Sequence, residues 1–367
     1  MSEISAKELE SYERLAITLN KIPNGFPAVE DNTHLKVLQW IFTPEEAELA
    51  SQIRLTGETV EELAKRLNIP VAGLADQLEV MESKGQIWAY GLGTERKYGL
   101  MPFVIGIYEE QLFRMDKEFA LLIEDYFQKT RSFGAHIDIN KPEFLRVIPV
   151  NRSIKSELRI HPFEEAEQMI RQAKSWGVRE CICKEQQELL GNKCRYPKTV
   201  CLIFSSVENA FENSKNTQPI NIEESLGILR QTEEAGLIHT TMNYQDSTNF
   251  ICNCCTCCCA ILRALTRWDQ PLAVAKSNYV MKVDDELCVG CEACIDACQF
   301  NALEIKEEVC EVNHRCVGCG VCALKCPEGA LSLVKRDPVE SAEPPKSRRD
   351  WMTQRAIARQ VDPSDLR

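Results

Sequence analysis

The sequence predicts a multidomain α+β protein, and three observations carry that expectation. Capped amphipathic helices give way to a hairpin pattern in the first third, a cysteine-dense stretch then alternates helix and strand, and a short unit defined by cysteine spacing occurs twice near the C-terminus. At 367 residues and 44% hydrophobic content the chain is long enough for two or three domains with buried cores. We delimit segments 1–112, a helical domain; 113–275, a cysteine-rich α/β domain; 276–335, the repeated unit; and 336–367, a flexible tail. A short helix over 351–361 in that tail places Trp351, Ile357 and Ala358 where they suit docking on a partner.

In the first segment Thr43, Pro44 and Glu46 supply a cap, a first-turn proline and a capping-box acid. Thr59 and Glu62 repeat the box ahead of Val60, Leu63, Ala64 and Leu67, which share one helical face. Asn68, Ile69 and Pro70 break the chain before a third helix carrying Leu74, Leu78 and Met81. That helix ends at Gly85, and 87–90 with 97–100 around GLGTE form a hairpin. The order resembles a winged helix of the kind found in bacterial regulators. Asp76, Glu79 and Glu82 face a single Lys84 on the helix that would enter DNA, so phosphates are repelled there and Arg96 and Lys97 are too few to compensate. We therefore expect a protein-contact or scaffold role and no DNA partner.

The middle segment holds ten cysteines. An amphipathic run from Phe163 to Ala173 leads through Gly177 into a stretch with Cys181, Cys183, Cys194 and Cys201. A helix from Ile222 to Ala235, ended by Gly236, precedes the short strand Leu237, Ile238, His239. ICNCCTCCCAIL then packs Cys252, Cys254, Cys255, Cys257, Cys258 and Cys259 into eight residues. In an extended chain neighbouring thiols face opposite sides; on a helix Cys255 and Cys259 would share a face with Cys258 nearby. Adjacent cysteines strain a disulfide, so capture of a soft metal is the better account: one further iron-sulfur cluster or a zinc ion, with a redox-active thiol centre as the alternative. His239 reads as a satisfied strand end rather than a ligand.

The repeat itself runs CVGCEACIDACQFNALEI and, 28 residues later, CVGCGVCALKCPEGALSL. Each copy spaces four cysteines as C-x2-C-x2-C-x3-C, in which a tight loop gives three sulfurs to one iron-sulfur cluster while the fourth reaches a second. Zinc ribbons and disulfide frameworks explain that spacing less well. Val289, Gly290, Ala302 and Leu303 recur as Val317, Gly318, Ala330 and Leu331. The segment resembles a bacterial two-cluster ferredoxin domain. The resemblance implies two 4Fe-4S clusters with crossed ligation: Cys288, Cys291, Cys294 and Cys326 on one, Cys316, Cys319, Cys322 and Cys298 on the other. Gln299 stands where the second copy has Pro327, a departure that affects the local turn rather than the ligand.

The whole layout, winged-helix-like domain, CxC region, CNCCTCCC run and ferredoxin-like C-terminal domain, is similar to a group of iron-sulfur proteins of anaerobic bacteria and archaea. That resemblance implies an anaerobic redox setting and no particular activity. Nineteen cysteines suit a reducing cytoplasm that loads them with metal. A net charge of −12 argues against nucleic acid, and the sequence has neither 18 consecutive apolar residues nor a signal pattern. Cys310, outside the repeat spacing, reads as a buried structural thiol. No Walker loop, dinucleotide fingerprint or Ser/His/Asp order is present, so no catalytic residue is assigned. Between Cys288 and Val334 seven acids face three bases, a surface suited to basic redox partner proteins. The expected function is electron transfer through two clusters to a partner enzyme. The alternative is an oxidoreductase whose middle metal or thiol site is fed by the ferredoxin-like domain. A redox-sensing regulator is disfavoured by the acidic helix.

Overall fold

Helices and several separate sheets coexist in the computed structural model, which describes residues 6–131, 141–155, 158, 160–246, 248–337 and 343–362. The chain divides into two compact units, Met1–Ile139 with Met352–Arg367, and Asn140–Trp351. No helix among the described residues is long and apolar enough to cross a membrane.

In the first unit both capping boxes close. The Thr43 and Thr59 hydroxyls accept from the Glu46 and Glu62 amides, and the two carboxylates accept from the threonine amides, starting helices Pro44–Ala50 and Val60–Leu67. Helix Leu74–Ser83 follows, burying Leu74, Leu78 and Met81. Glu58–Thr59 (β1), Ile87–Tyr90 (β2) and Lys97–Leu100 (β3) form an antiparallel sheet in the order β1-β3-β2; β1 is an addition to the predicted hairpin. Helices Ala6–Lys21, Thr33–Ile41 and Lys117–Lys129 complete the unit around an aromatic core in which the Phe26 ring lies 4.6 Å from Phe103 and 5.1 Å from Tyr126. On the acidic helix Glu79 pairs with Arg96 at 3.1 Å and accepts from the Tyr98 hydroxyl.

The second unit is built on a seven-stranded sheet. Its strands are Leu145–Ile148 (β4), Ser175–Glu180 (β5), Thr199–Ser205 (β6), Gln218–Ile220 (β7), Ile238–Met242 (β8), Phe250–Cys254 (β9) and Val274–Ala275 (β10), in the order β10-β4-β8-β9-β6-β5-β7. Every pairing is antiparallel except β10 with β4. Helices Ala166–Arg171 and Ile222–Ala235 cover one face, burying Ile170, Leu226 and Leu229 against Val178, Leu202, Phe204 and Ile251. The first of these helices is shorter than the amphipathic run suggests, because Pro162–Glu164 forms a separate 3-10 turn.

The cysteine repeat lies in this same unit. It forms two antiparallel ribbons, Tyr279–Val283 (β11) with Leu331–Lys335 (β14), and Leu303–Lys306 (β12) with Val309–Val312 (β13). The recurring glycines have a steric cause: Gly290 and Gly318 sit at φ 64° and 74°, and a Cβ would meet the Glu308 carbonyl oxygen at 2.5 Å and the Tyr279 carbonyl oxygen at 2.1 Å. Of the predicted tail, 338–342 and 363–367 lie outside the described residues. Within it a helix spans Arg348–Ala358. Trp351, expected to face a partner, is instead covered by its own chain: it is 1% exposed, its indole N–H donates to the Glu143 carbonyl at 3.0 Å, and its ring lies 6.0 Å from Phe144.

A buried ion pair fastens the repeat to the sheet. Arg146 on β4, 1% exposed, donates to Glu164 Oε1 at 2.5 Å, and that same oxygen accepts the Asn278 amide at 2.8 Å just before β11. Replacing one member leaves the other charge buried without its partner, so Glu164→Leu should cost about 3 kcal/mol, whereas Arg146→Met with Glu164→Leu should recover most of that loss. Thermal melts of the anaerobic full chain distinguish the two outcomes.

Candidate metal centres

Strand alternation sorts the middle cysteines. On β6 and β9, Leu202 pairs with Ile251, and both point into the helix-covered core. Side chains one position away face the other way, so Cys201, Cys252 and Cys254 share the opposite face. Cys181 caps helix Ile182–Leu189, Cys183 lies in its first turn, and Cys259 caps helix Ala260–Arg267. These six thiols are neighbours that influence one another's pKa in turn, forming a ring 181–183–259–254–252–201 and back to 181. Hydrogen bonds from Cys183 and then Cys201 hold the Cys181 thiol well below its ordinary pKa, and those from Cys252 and Cys259 lower Cys254 to about 6. Both therefore favour the thiolate, which is the metal-binding form.

The other four middle cysteines make a second, tighter group. The strand ends at Cys254 and the next helix begins at Ala260, so Cys255, Cys257 and Cys258 lie in the turn between them rather than on a helical face. Cys194 reaches the turn from the loop before β6: its Sγ is 3.7 Å from Cys255 Sγ and 3.7 Å from Cys257 Sγ, and Cys257 Sγ is 3.7 Å from Cys258 Sγ. All four sulfurs lie within 4.8 Å of one another. Cys255 and Cys258 are buried, while Cys257 is exposed. The Lys184 ammonium, on a residue 2% exposed, donates to the Pro197 carbonyl at 2.7 Å. Burial opposes its charge, yet Cys181, Cys255, Cys201 and Cys254 together raise its pKa, making it a counter-ion to both thiol groups. His239 stays with polar neighbours, its Nδ1 2.5 Å from Asn253 Oδ1 and its Nε2 3.7 Å from Glu233.

In the repeat, a cavity is lined by Cys288, Cys291 and Cys294 of the first copy and Cys326 of the second. Cys310 lines it as well. Sequence spacing could not reveal this, because the β12–β13 ribbon brings Cys310 back opposite Ile305, with its sulfur 3.6 Å from Cys294 Sγ and its amide donating to Cys288 Sγ at 3.4 Å. Burial raises the pKa of Cys298, as does the charge of Cys316, and Cys319 and Cys322 in turn feel both Cys316 and Cys298, as Cys310 also feels Cys298. Burial pushes Cys319 up to about 12, so a metal that takes up this thiol must displace its proton. The Ala302 amide donates to Cys298 Sγ at 3.4 Å; such bonds to cluster sulfurs raise reduction potential.

Gln299, which takes the place of a proline, joins the repeat to the middle cysteines. Its side-chain oxygen accepts the Thr256 amide at 2.9 Å, and its nitrogen donates to the Gly236 carbonyl at 2.5 Å. Proline at this position can make neither bond. The residue after Cys298 is thus tied to the residue between Cys255 and Cys257.

Residues 281–304 match the family model of the 4Fe-4S binding domain. The comparisons with curated proteins and with solved structures found no match. The donor set fits a 4Fe-4S cluster, since the cavity is lined by thiols together with the apolar Val289, Ile305, Ala330 and Leu331.

Two outcomes follow from this geometry. The repeat spacing selects Cys291 over Cys310 as ligand, so Cys291→Ser should lower bound iron by about four atoms per chain while Cys310→Ser leaves it unchanged; iron analysis of anaerobically prepared protein decides. Gln299→Ala removes the acceptor of the Thr256 amide, and a lost hydrogen bond of about 1 kcal/mol should speed exchange of that amide severalfold, read by hydrogen–deuterium exchange.

Proposed function

We propose that the chain is an iron-sulfur electron-transfer protein or redox subunit that carries electrons through two 4Fe-4S clusters to a partner enzyme. The observation that carries this reading is the cavity lined by Cys288, Cys291, Cys294 and Cys326, a set that draws on both copies of the repeat. Such a cluster supplies one-electron chemistry without a general acid or base. The protein's own residues hold it, exclude water and set its potential.

The two ends of the repeat differ in exposure and in attachment to the sheet. Around the first cavity Cys291 is exposed, Val289 is 64% exposed and Leu287 48% exposed, with Glu292 and Glu328 at the rim. That apolar and acidic edge suits a basic redox partner. On the other side, the Val150 amide donates to the Cys319 carbonyl at 2.9 Å and the Ser153 hydroxyl to the Gly320 carbonyl at 2.8 Å, which fastens the second set of cysteines against the sheet. The exposed set is therefore where a partner exchanges electrons with the repeat, while the second set is held against the sheet.

The Gln299 bridge favours a second reading, in which the middle thiols form a metal or redox-active centre fed by the repeat. It carries the polypeptide directly from Cys298 to the turn holding Cys255, Cys257 and Cys258. In the first unit, the pairing of Arg96 with Glu79 and Glu82 ties up the main cation of the hairpin, which supports a protein-contact role over DNA binding. A reducing, anaerobic cytoplasm is the setting that keeps these thiols loaded.

The test is anaerobic reconstitution followed by reductive titration under EPR. The expected result is reducible cluster signals with about eight irons per chain for the repeat alone, or about twelve if the middle thiols hold a third cubane. Absence of any reducible signal from iron-loaded protein would rule out electron transfer.

A further inference from the structure

The sequence alone suggests a single centre for the ten middle cysteines, yet the fold separates them into sets of different geometry. Cys194, Cys255, Cys257 and Cys258 have three sulfur–sulfur separations of 3.7 Å, and no pair exceeds 4.8 Å. Bond lengths decide what such a set can hold. Four thiolates bound tetrahedrally to one ion at about 2.3 Å stand about 3.8 Å apart. A cubane, with an iron at each of four corners, holds its thiolates roughly 6 Å apart.

The repeat supplies an internal comparison. Its cysteines lie around a cavity and do not gather within 4.8 Å of one another; among the described residues only the group at Cys194 does so. The chain thus holds a wide thiol set where a 4Fe-4S binding domain matches and a tight set in the middle.

We propose that Cys194, Cys255, Cys257 and Cys258 form a mononuclear tetrathiolate site for one thiophilic divalent ion, zinc or iron, distinct from the six-thiol ring at Cys181. This rests on the reading of the middle cysteines as metal ligands and adds the nuclearity and the ligand set. The ion replaces four thiol protons and closes the loop before β6 onto the turn after β9. A positive group stands beside it to offset the excess negative charge: Arg267 donates to the Cys257 carbonyl at 3.3 Å. One consequence is that the ring of six is left as the only middle set open to a polynuclear or redox role.

The experiment uses the full chain purified anaerobically, with zinc and iron counted per chain in the wild type, Cys257→Ser and Cys183→Ser. Cys257 is the exposed member of its set, so its serine variant is the one least disturbing to packing. Loss of one zinc or of one iron per chain in Cys257→Ser but not in Cys183→Ser supports the proposal and names the ion. Loss of about four irons in Cys257→Ser, or no change in metal content, overturns it. X-ray absorption on wild-type protein, in which cobalt or zinc occupies the site, is independent of any variant's folding. A shell of four sulfurs at about 2.3 Å with no neighbouring metal is expected, and a metal neighbour overturns the assignment. The reducible cluster signal of the repeat is measured on the same samples, so a failure of the electron-transfer reading and a failure of this one are seen separately.

Discussion

The second unit depends on the period of two along β9. Ile251 and Asn253 face one side of that strand, Ile251 closing the helix-covered core against Leu202 and Asn253 donating to the Val200 carbonyl at 2.5 Å. The alternation that buries these two residues turns Cys252 and Cys254 to the other face, and the pairing with β6 brings Cys201 beside them. A slip of one residue would drive two thiols into an aliphatic core and turn Ile251 toward the thiol face. The hydrophobic packing under the helices therefore sets the geometry of a thiol site on the far side of the sheet.

The same sheet also positions the repeat. Arg146 on β4, Glu164 and Asn278 form one buried polar chain leading into β11, and the carbonyls of Cys319 and Gly320 accept from the loop after β4. A buried pair of this kind adds little net stability compared with an apolar substitute, but it admits one arrangement and penalises others. Gln299 does similar work on the opposite flank, where an amide side chain satisfies one donor and one acceptor across a gap that proline would leave unpaired. The metal-binding sequences are thus held at fixed separation by ordinary hydrogen bonds outside the ligand sets.

Local chemistry makes much of this legible in the amino-acid order alone. Capping boxes at Thr43 and Thr59 announce their helices because the hydrogen bonds involved span three residues. Helix Ile222–Ala235 ends at Gly236, in the left-handed conformation that favours glycine. The spacing within each copy of the repeat likewise encodes a tight loop, and the glycine two positions after its first cysteine suits the positive φ that the backbone adopts there. What local patterns miss is long-range. Cys310 has no neighbour at ligand spacing but is carried to Cys294 by a hairpin; Trp351 reads as a docking residue because its cover, Phe144 and Glu143, lies some two hundred residues away in sequence.

The sequence by itself determined which atoms are available: eight thiols in two copies of one spacing, the first copy within the residues that match a 4Fe-4S binding domain, ten more in the middle, and an excess of acids around the repeat. Tertiary structure alone decided how the ten are shared. Neighbours in the run 252–259 are separated into two sets because a strand ends at Cys254 and a turn intervenes before Ala260, while Cys194 and Cys201, only seven positions apart, go to different sets on opposite sides of a strand start. Ligand spacing is a property of sulfur positions in space, and for residues contributed by several strands and loops those positions are fixed by sheet register, which no local pattern of cysteines specifies.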